Sequence, residues 1–371
     1  MKHRIRCMVP FLKELKYLIS MPSFLFYLGH PAHYHNLKNP INRLISKGNK
    51  ILVVARSKDV LFELLESESW DIIRLPQRSS DSRFGLAINI LKRELKILKL
   101  SLQFKPNVLI GTDLVITHIG KLLGLPSIVV NEDDSSAVPL MAKYAFPYAT
   151  ALLAPNCCDQ SPYNQKKIGY EGYHELAYLH PEVFSPDRDR LPYEISSCKN
   201  YYVLRFAALN AHHDDGRKGI DDKLAEELIG ILSTQGRVFI TSERPLRENL
   251  EKHRIRIHPR EMHHVLAYAS GYVGDSQTMA AEAAVLGVPS IRFNDFVGEL
   301  NYLEELEKKY MLSSGVKTSQ PQKLIELVKK WVEPNNIIDE LKSRRKTMLE
   351  QTDDVCSFWV EVFENQALKA R

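Results

Sequence analysis

Val273-Gly274-Asp275-Ser276-Gln277-Thr278-Met279-Ala280-Ala281-Glu282-Ala283-Ala284-Val285-Leu286-Gly287-Val288-Pro289-Ser290-Ile291 is the stretch that decides how this chain folds. It reads as a short strand, a tight polar turn, a helix of small residues, a glycine stop and a second buried strand. Gly274 is expected to permit the turn, and Asp275 or Ser276 to cap the helix by accepting from its free N–H groups. Gly287 stands where a helix ends, with Pro289 just beyond.

A helix start of this kind favours anions, because its unpaired N–H groups and its dipole both point positive. Glu282 follows Thr278 by four positions on the same face, roughly 6 Å along the axis at 1.5 Å rise per residue. Helical side chains lean toward the N-terminus, so the carboxylate can reach a group held beside the anion. A carboxylate accepting from a vicinal diol next to a diphosphate cradle suits a nucleotide ribose. A capped helix with a solvated Glu is the plainer alternative.

These residues resemble the nucleotide-sugar motif of GT-B glycosyltransferases and of the non-hydrolysing UDP-N-acetylglucosamine 2-epimerases. The match lies in Ser276, in Glu282 six residues later and in Leu286-Gly287-Val288-Pro289; Gln277-Thr278 replace the epimerases' second glycine. Residues 23–315 also resemble a family of uncharacterised prokaryotic proteins with this fold. The resemblance implies an α/β, GT-B-like fold: two doubly wound Rossmann-type domains facing across a cleft.

Working outward, the length of 371 residues suits two domains, and 44% hydrophobic with 26% charged residues is ordinary globular composition. A net charge of +5 is small for this length, and no nucleic-acid-binding pattern appears. The five cysteines form no CxxC pair, so a disulfide framework is not expected and a reducing cytoplasm is the simplest home. No run approaches a membrane span. Residues 1–20 combine a basic cluster with a helical apolar stripe. They read as an N-terminal extension (1–22) or as an in-plane anchor that would bring the protein to the inner face of the membrane.

The first domain, 23–180, opens on the strand Phe24–Leu28 and the segment Gly29-His30-Pro31-Ala32-His33-Tyr34-His35, with a helix expected from Leu37. Loops at the carboxyl ends of such strands hold ligands, which makes His30, His33 and His35 candidates for a base or a substrate contact. A His33/His35 metal pair lacks a third ligand, and no metal or cofactor is expected. Asp113 and Glu132 end two further strands and roughly match the acid and base carboxylates of the epimerases; a loop that caps the next helix is the plainer reading of Glu132-Asp133-Asp134. The basic helical region 79–104 reads as a solvated face, and also as the kind of surface that accompanies lipid-linked acceptors.

Prolines and charges mark a linker at 181–199, followed by the second domain at 200–335. The resemblance places a cation and a glycine loop against the diphosphate, here Arg205 with His213 as second choice. Gly274, Ser276, Gln277 and Thr278 would line the cradle, and Arg292 and Asn294 would meet the sugar. Ile255–His258 reads as a short strand. Residues 336–371 read as a terminal helix that crosses back onto the first domain.

The function implied is a nucleotide-diphosphate-sugar-dependent glycosyltransferase of GT-B type in cell-envelope or surface polysaccharide synthesis, the sugar nucleotide being its donor substrate and a glycan or lipid-linked sugar its acceptor. A 2-epimerase-like enzyme and a non-catalytic nucleotide-sugar binder are the alternatives. The base, the sugar, the stereochemical outcome and the oligomeric state are not written in the residues.

Overall fold

In the computed structural model, residues 21–56, 60–76, 83–207, 219–333 and 337–370 are described. Strands β1 (Ser23–Leu28), β2 (Lys50–Arg56), β3 (Ile72–Leu75), β4 (Val108–Gly111), β5 (Ser127–Val130), β6 (Ala151–Pro155) and β7 (Lys167–Tyr170) form one parallel sheet in the order β3-β2-β1-β4-β5-β6-β7. Strands β8 (Tyr201–Phe206), β9 (Arg237–Ser242), β10 (Gly271–Gly274), β11 (Ser290–Phe293) and β12 (Ser314–Val316) form a second, in the order β12-β11-β10-β8-β9. Strands buried on both faces read as unbroken apolar runs, and β1, β4, β5 and β10 are buried at every position.

The helices that matter below are α1 (Pro31–Ser46), α2 (Arg83–Phe104), α3 (Leu114–Leu123), α4 (Leu176–Leu179), α5 (Asp222–Leu232), α6 (Met262–Ala267), α7 (Gln277–Val285), α8 (Asn301–Lys308), α9 (Pro321–Val332), α10 (Ile337–Glu350) and α11 (Val355–Lys369). Strand order reverses beside β1 and β4 in the first sheet and beside β8 and β10 in the second. Ligands of doubly wound sheets bind at such switch points. Here the four strand ends deliver the His30 segment, Asp113, Arg205 and Asp275-Ser276.

Three expectations change. Helix α1 begins at Pro31, not at Leu37, because Pro31 fits the first helical position and His30 caps it. His33 and His35 are therefore helical residues and not loop residues. The Ile255–His258 stretch is no strand; only Arg254 bridges to Ile240. The terminal segment is two helices. Asp354 caps α11 by accepting from Ser357 N, and the chain turns back between α10 and α11.

That turn ties the halves together. Helix α10 stays with the second sheet, where Arg345 Nε donates to the Val285 carbonyl at 2.7 Å. Helix α11 lies on α1 and α4 of the first: Phe363 meets Phe26 at 5.9 Å between ring centres, and Lys47 pairs with Glu364 at 2.7 Å. Trp359, fully buried, packs edge-on against Tyr170 and His174. One apolar cluster runs from β1 through α11 to Ala281 and Ala284 of α7 and Leu303 of α8, so the two sheets share a continuous core. No helix among the described residues is long and apolar enough to cross a membrane.

Candidate active site at the domain interface

The motif folds as a strand, a cap and a helix. Ser276 stands extended ahead of α7 and its Oγ accepts from Met279 N at 3.4 Å. Gly287 adopts a left-handed φ of 77°, which ends the helix where the sequence puts glycine. Gly274 is needed for space and not for a turn: a Cβ there would lie 2.4 Å from the Tyr272 hydroxyl and 2.8 Å from Arg205 Cβ. Asp275 is buried and its carboxyl is pushed up to about 6, burial outweighing the bond it accepts from Ala207 N at 2.6 Å. Ser276, Gln277 and Thr278 remain half-exposed at the helix start. Arg205 extends from the end of β8, ion-paired with Glu243 and 18% exposed. His213 lies outside the described residues.

Glu282 is not solvated. Its Oε1 accepts from the Tyr178 hydroxyl at 3.0 Å and from His263 Nε2 at 3.0 Å, so one oxygen takes both bonds. Tyr178 belongs to α4 of the first domain, and His263 to α6 of the second. The His35 ring completes the group, 4.7 Å from His263 and 5.5 Å from Tyr178 between ring centres. Burial and the neighbouring His263 hold the His35 imidazole well below its ordinary range, so it is neutral near pH 7. Burial and then Glu282 push the Tyr178 phenol upward, which keeps it a donor.

The other histidines of that segment serve the backbone. His30 Nδ1 accepts from Ala32 N at 3.2 Å, and His33 Nδ1 from Gly29 N at 3.2 Å. Asp113 caps α3 by accepting from Val115 N at 3.1 Å, and its second oxygen takes Arg93 of α2 at 2.6 Å. Both of its oxygens are thus committed.

The carboxylate that interacts with Glu132 is Glu175, not Asp113. Glu132 is raised well above the carboxylate range by burial, then by Glu175 and Asp133. Burial pushes Glu175 up to about 8, and among the described residues neither of its carboxyl oxygens has a hydrogen-bond partner. His174 precedes Glu175 in the chain, and its Nδ1 is 3.4 Å from Glu132 Oε2 and shares a hydrogen bond with Asn36 Nδ2 at 3.1 Å. Burial lowers this imidazole to about 3. Two carboxylic acids and two neutral imidazoles therefore face the interface at neutral pH. Asp134 crosses to the second domain instead, accepting from Asn301 N and Asn301 Nδ2 at 2.8 and 2.7 Å, which caps α8. No group of three or more potential metal ligands occurs among the described residues.

Two expected sugar contacts are turned inward. Arg292 is fully buried and pairs with Glu307 at 2.8 Å, because its place in β11 aims it under α8. Asn294 is 1% exposed; its amide donates to the Asp275 carbonyl at 2.9 Å and accepts from Phe296 N at 3.0 Å. It shapes the motif loop from behind. Four residues that the sequence reading passed over lie at the interface: His174, Glu175, Tyr178 and His263. Their signal was the titratable run Tyr173-His174-Glu175 ahead of the linker and the His263-His264 pair ahead of the motif.

No protein-family model and no curated protein matches this sequence. Solved structures do match the fold. A structure of LpCGTa in complex with UDP aligns at TM-score 0.61 and 13% identity, over 94% of this chain and all (100%) of that one. The glycosyltransferase VinC in complex with DTDP aligns at 0.61 and 10% identity, over 94% and 100% of the two chains. A putative UDP-N-acetylglucosamine 2-epimerase from Listeria monocytogenes aligns at 0.62 and 11% identity, over 91% and 94%. With two doubly wound sheets meeting across a cleft and near-complete overlap with these enzymes, this chain has the GT-B fold.

Proposed function

We propose that this protein is a glycosyltransferase that uses a nucleotide-diphosphate sugar. The observation that carries the reading is the position of Glu282. It lies on α7, six residues after the capping Ser276, and it is clasped by Tyr178 of the opposite domain. The donor diphosphate would rest on the α7 N–H groups at Ser276, Gln277 and Thr278, with Arg205 as the cation. The ribose hydroxyls would donate to the Glu282 carboxylate. His35, neutral and reaching the same interface, would take the proton of the acceptor hydroxyl as its oxygen bonds to the sugar carbon and the diphosphate departs. The α7 dipole and Arg205 would stabilise the leaving charge.

Neighbours solved with UDP and DTDP support a donor of this class. The test is a thermal-shift panel of UDP, TDP, GDP, CDP and ADP sugars against wild type and Glu282→Gln, which keeps the shape of the clasp. One donor is expected to stabilise the wild type by about 2.7 kcal/mol at a hundredfold excess over Kd, raising its midpoint, and to leave the variant unmoved. A folded wild type that answers to no nucleotide would sink the reading.

A specific observation favours a second reading. Glu132 and Glu175 are carboxylic acids that can hand a proton to a bound sugar, as a 2-epimerase-like reaction requires. Incubation with UDP-N-acetylglucosamine alone, in deuterated water, separates the two: deuterium entering the sugar without an acceptor supports the epimerase.

A further inference from the structure

Cys157 and Cys158 are adjacent in sequence, and their sulfurs are 3.9 Å apart. They follow β6 at the edge of a cavity of about 450 Å³, lined also by Asn156, Asp159, Asn164 and Lys167. The Lys167 ammonium is fixed there, donating to the carbonyls of Asn156 at 2.9 Å and Cys158 at 2.6 Å. Cys158 is 1% exposed, and its thiol donates to the Glu132 carbonyl at 2.8 Å. The pair thus has one accessible sulfur, one buried sulfur in contact with it, and a bond from the buried one to the end of β5.

We propose that Cys157 and Cys158 are a dithiol redox site that reacts with small disulfides and reports to the Glu132 strand end. The Cys157 thiolate attacks one sulfur of an incoming disulfide, whose S–S bond breaks and whose second half leaves as a thiol after taking a proton. Cys158 then loses its proton and attacks the Cys157 sulfur, expelling the remaining half as a second thiol. The cysteine pair is oxidised to a disulfide closed through the shared peptide bond, and the incoming disulfide is reduced to two thiols. The contact with Cys157, and then burial, push the Cys158 thiol upward, consistent with Cys157 as the attacking group. Closure removes the S–H that holds the Glu132 carbonyl.

The experiment is to incubate the folded full chain with oxidised glutathione, quench in acid, and map the cysteines by mass. Wild type should lose two hydrogen masses within the peptide carrying residues 157–158 and retain no glutathione there. Cys158→Ser should trap glutathione on Cys157, and Cys157→Ser should leave Cys158 unmodified. A pair that stays reduced while the guanidinium-unfolded chain reacts would overturn the site, and so would a lasting glutathione adduct on wild-type Cys157. Amide exchange at residues 132–135 should quicken in the oxidised form; unchanged exchange would overturn the link to Glu132.

Discussion

Replacing Arg292 by alanine is expected to destabilise this protein by about 3–5 kcal/mol, the cost of stranding one member of a buried ion pair. The Arg292 side chain is 0% exposed, and its partner Glu307 is 10% exposed. Arg292 donates to Glu307 Oε1 from Nε at 3.2 Å and from a terminal nitrogen at 2.8 Å, and Glu304 stands at 3.7 Å. Burial raises Glu307 above the carboxylate range even with the guanidinium present. Without it, Glu307 must take up a proton or remain charged in an apolar setting. Gly315 makes room for this carboxylate, since a Cβ there would lie 2.5 Å from Glu307 Oε2. Urea midpoints of Arg292→Ala, of Glu307→Leu and of Arg292→Met/Glu307→Leu would check this. The double variant should recover most of the loss, because a well-packed apolar pair dispenses with the desolvation of both charges. A loss in Arg292→Ala of less than about 1 kcal/mol, the range of an exposed pair, would contradict the assignment.

Glu175→Gln is expected to stabilise the protein at alkaline pH and to leave it unchanged in mild acid. In the unfolded chain this carboxyl releases its proton near 4.5; in the folded protein it holds it to about 8. Between those values the folded state binds the extra proton, so stability falls as pH rises through the window. A gap of about 3.5 units at 1.36 kcal/mol each is of order 5 kcal/mol. His174 acts with the opposite sign: the folded imidazole refuses a proton down to about 3, whereas the unfolded one accepts it below 6.5, so stability falls as pH drops. The two windows leave a maximum between the unfolded values of 4.5 and 6.5. Melting curves from about pH 5 to pH 9 should show wild type declining on the alkaline side and Glu175→Gln declining less steeply, the raised Glu132 carboxyl accounting for the fall that remains. Parallel declines would mean that Glu175 is not the group that titrates. The orphaned oxygens of Glu175 explain why such a residue weakens the fold.

Much of this molecule was legible in one dimension. Strand–turn–helix–glycine over 273–291 is local chemistry: Ser276 caps because its hydroxyl reaches Met279 N, and Gly287 stops because only glycine takes a φ of 77° without strain. The apolar runs that became β1, β4, β5, β8 and β10 carry their own length and burial, and right-handed crossovers leave few ways to stack them. Polar residues at their carboxyl ends follow from that topology.

What the sequence determined, then, was the pair of doubly wound sheets, the capped α7 helix that carries Glu282, and the strand ends that carry Glu132 and Arg205. Only the tertiary structure decided which of the polar residues face one another. Arg292 and Asn294 look the same in sequence as a ligand contact would, and are buried because α8 and the motif loop lie over them. Asp113 spends its charge on Arg93, twenty residues earlier, and Glu282 finds Tyr178 from 104 residues away. Glu175, just ahead of α4, helps to raise Glu132, just past β5, because those two chain segments converge. Propensity and capping act over a few residues and can be read along the chain, whereas burial and electrostatic coupling depend on distances set only when α11 folds back and closes the two domains on each other.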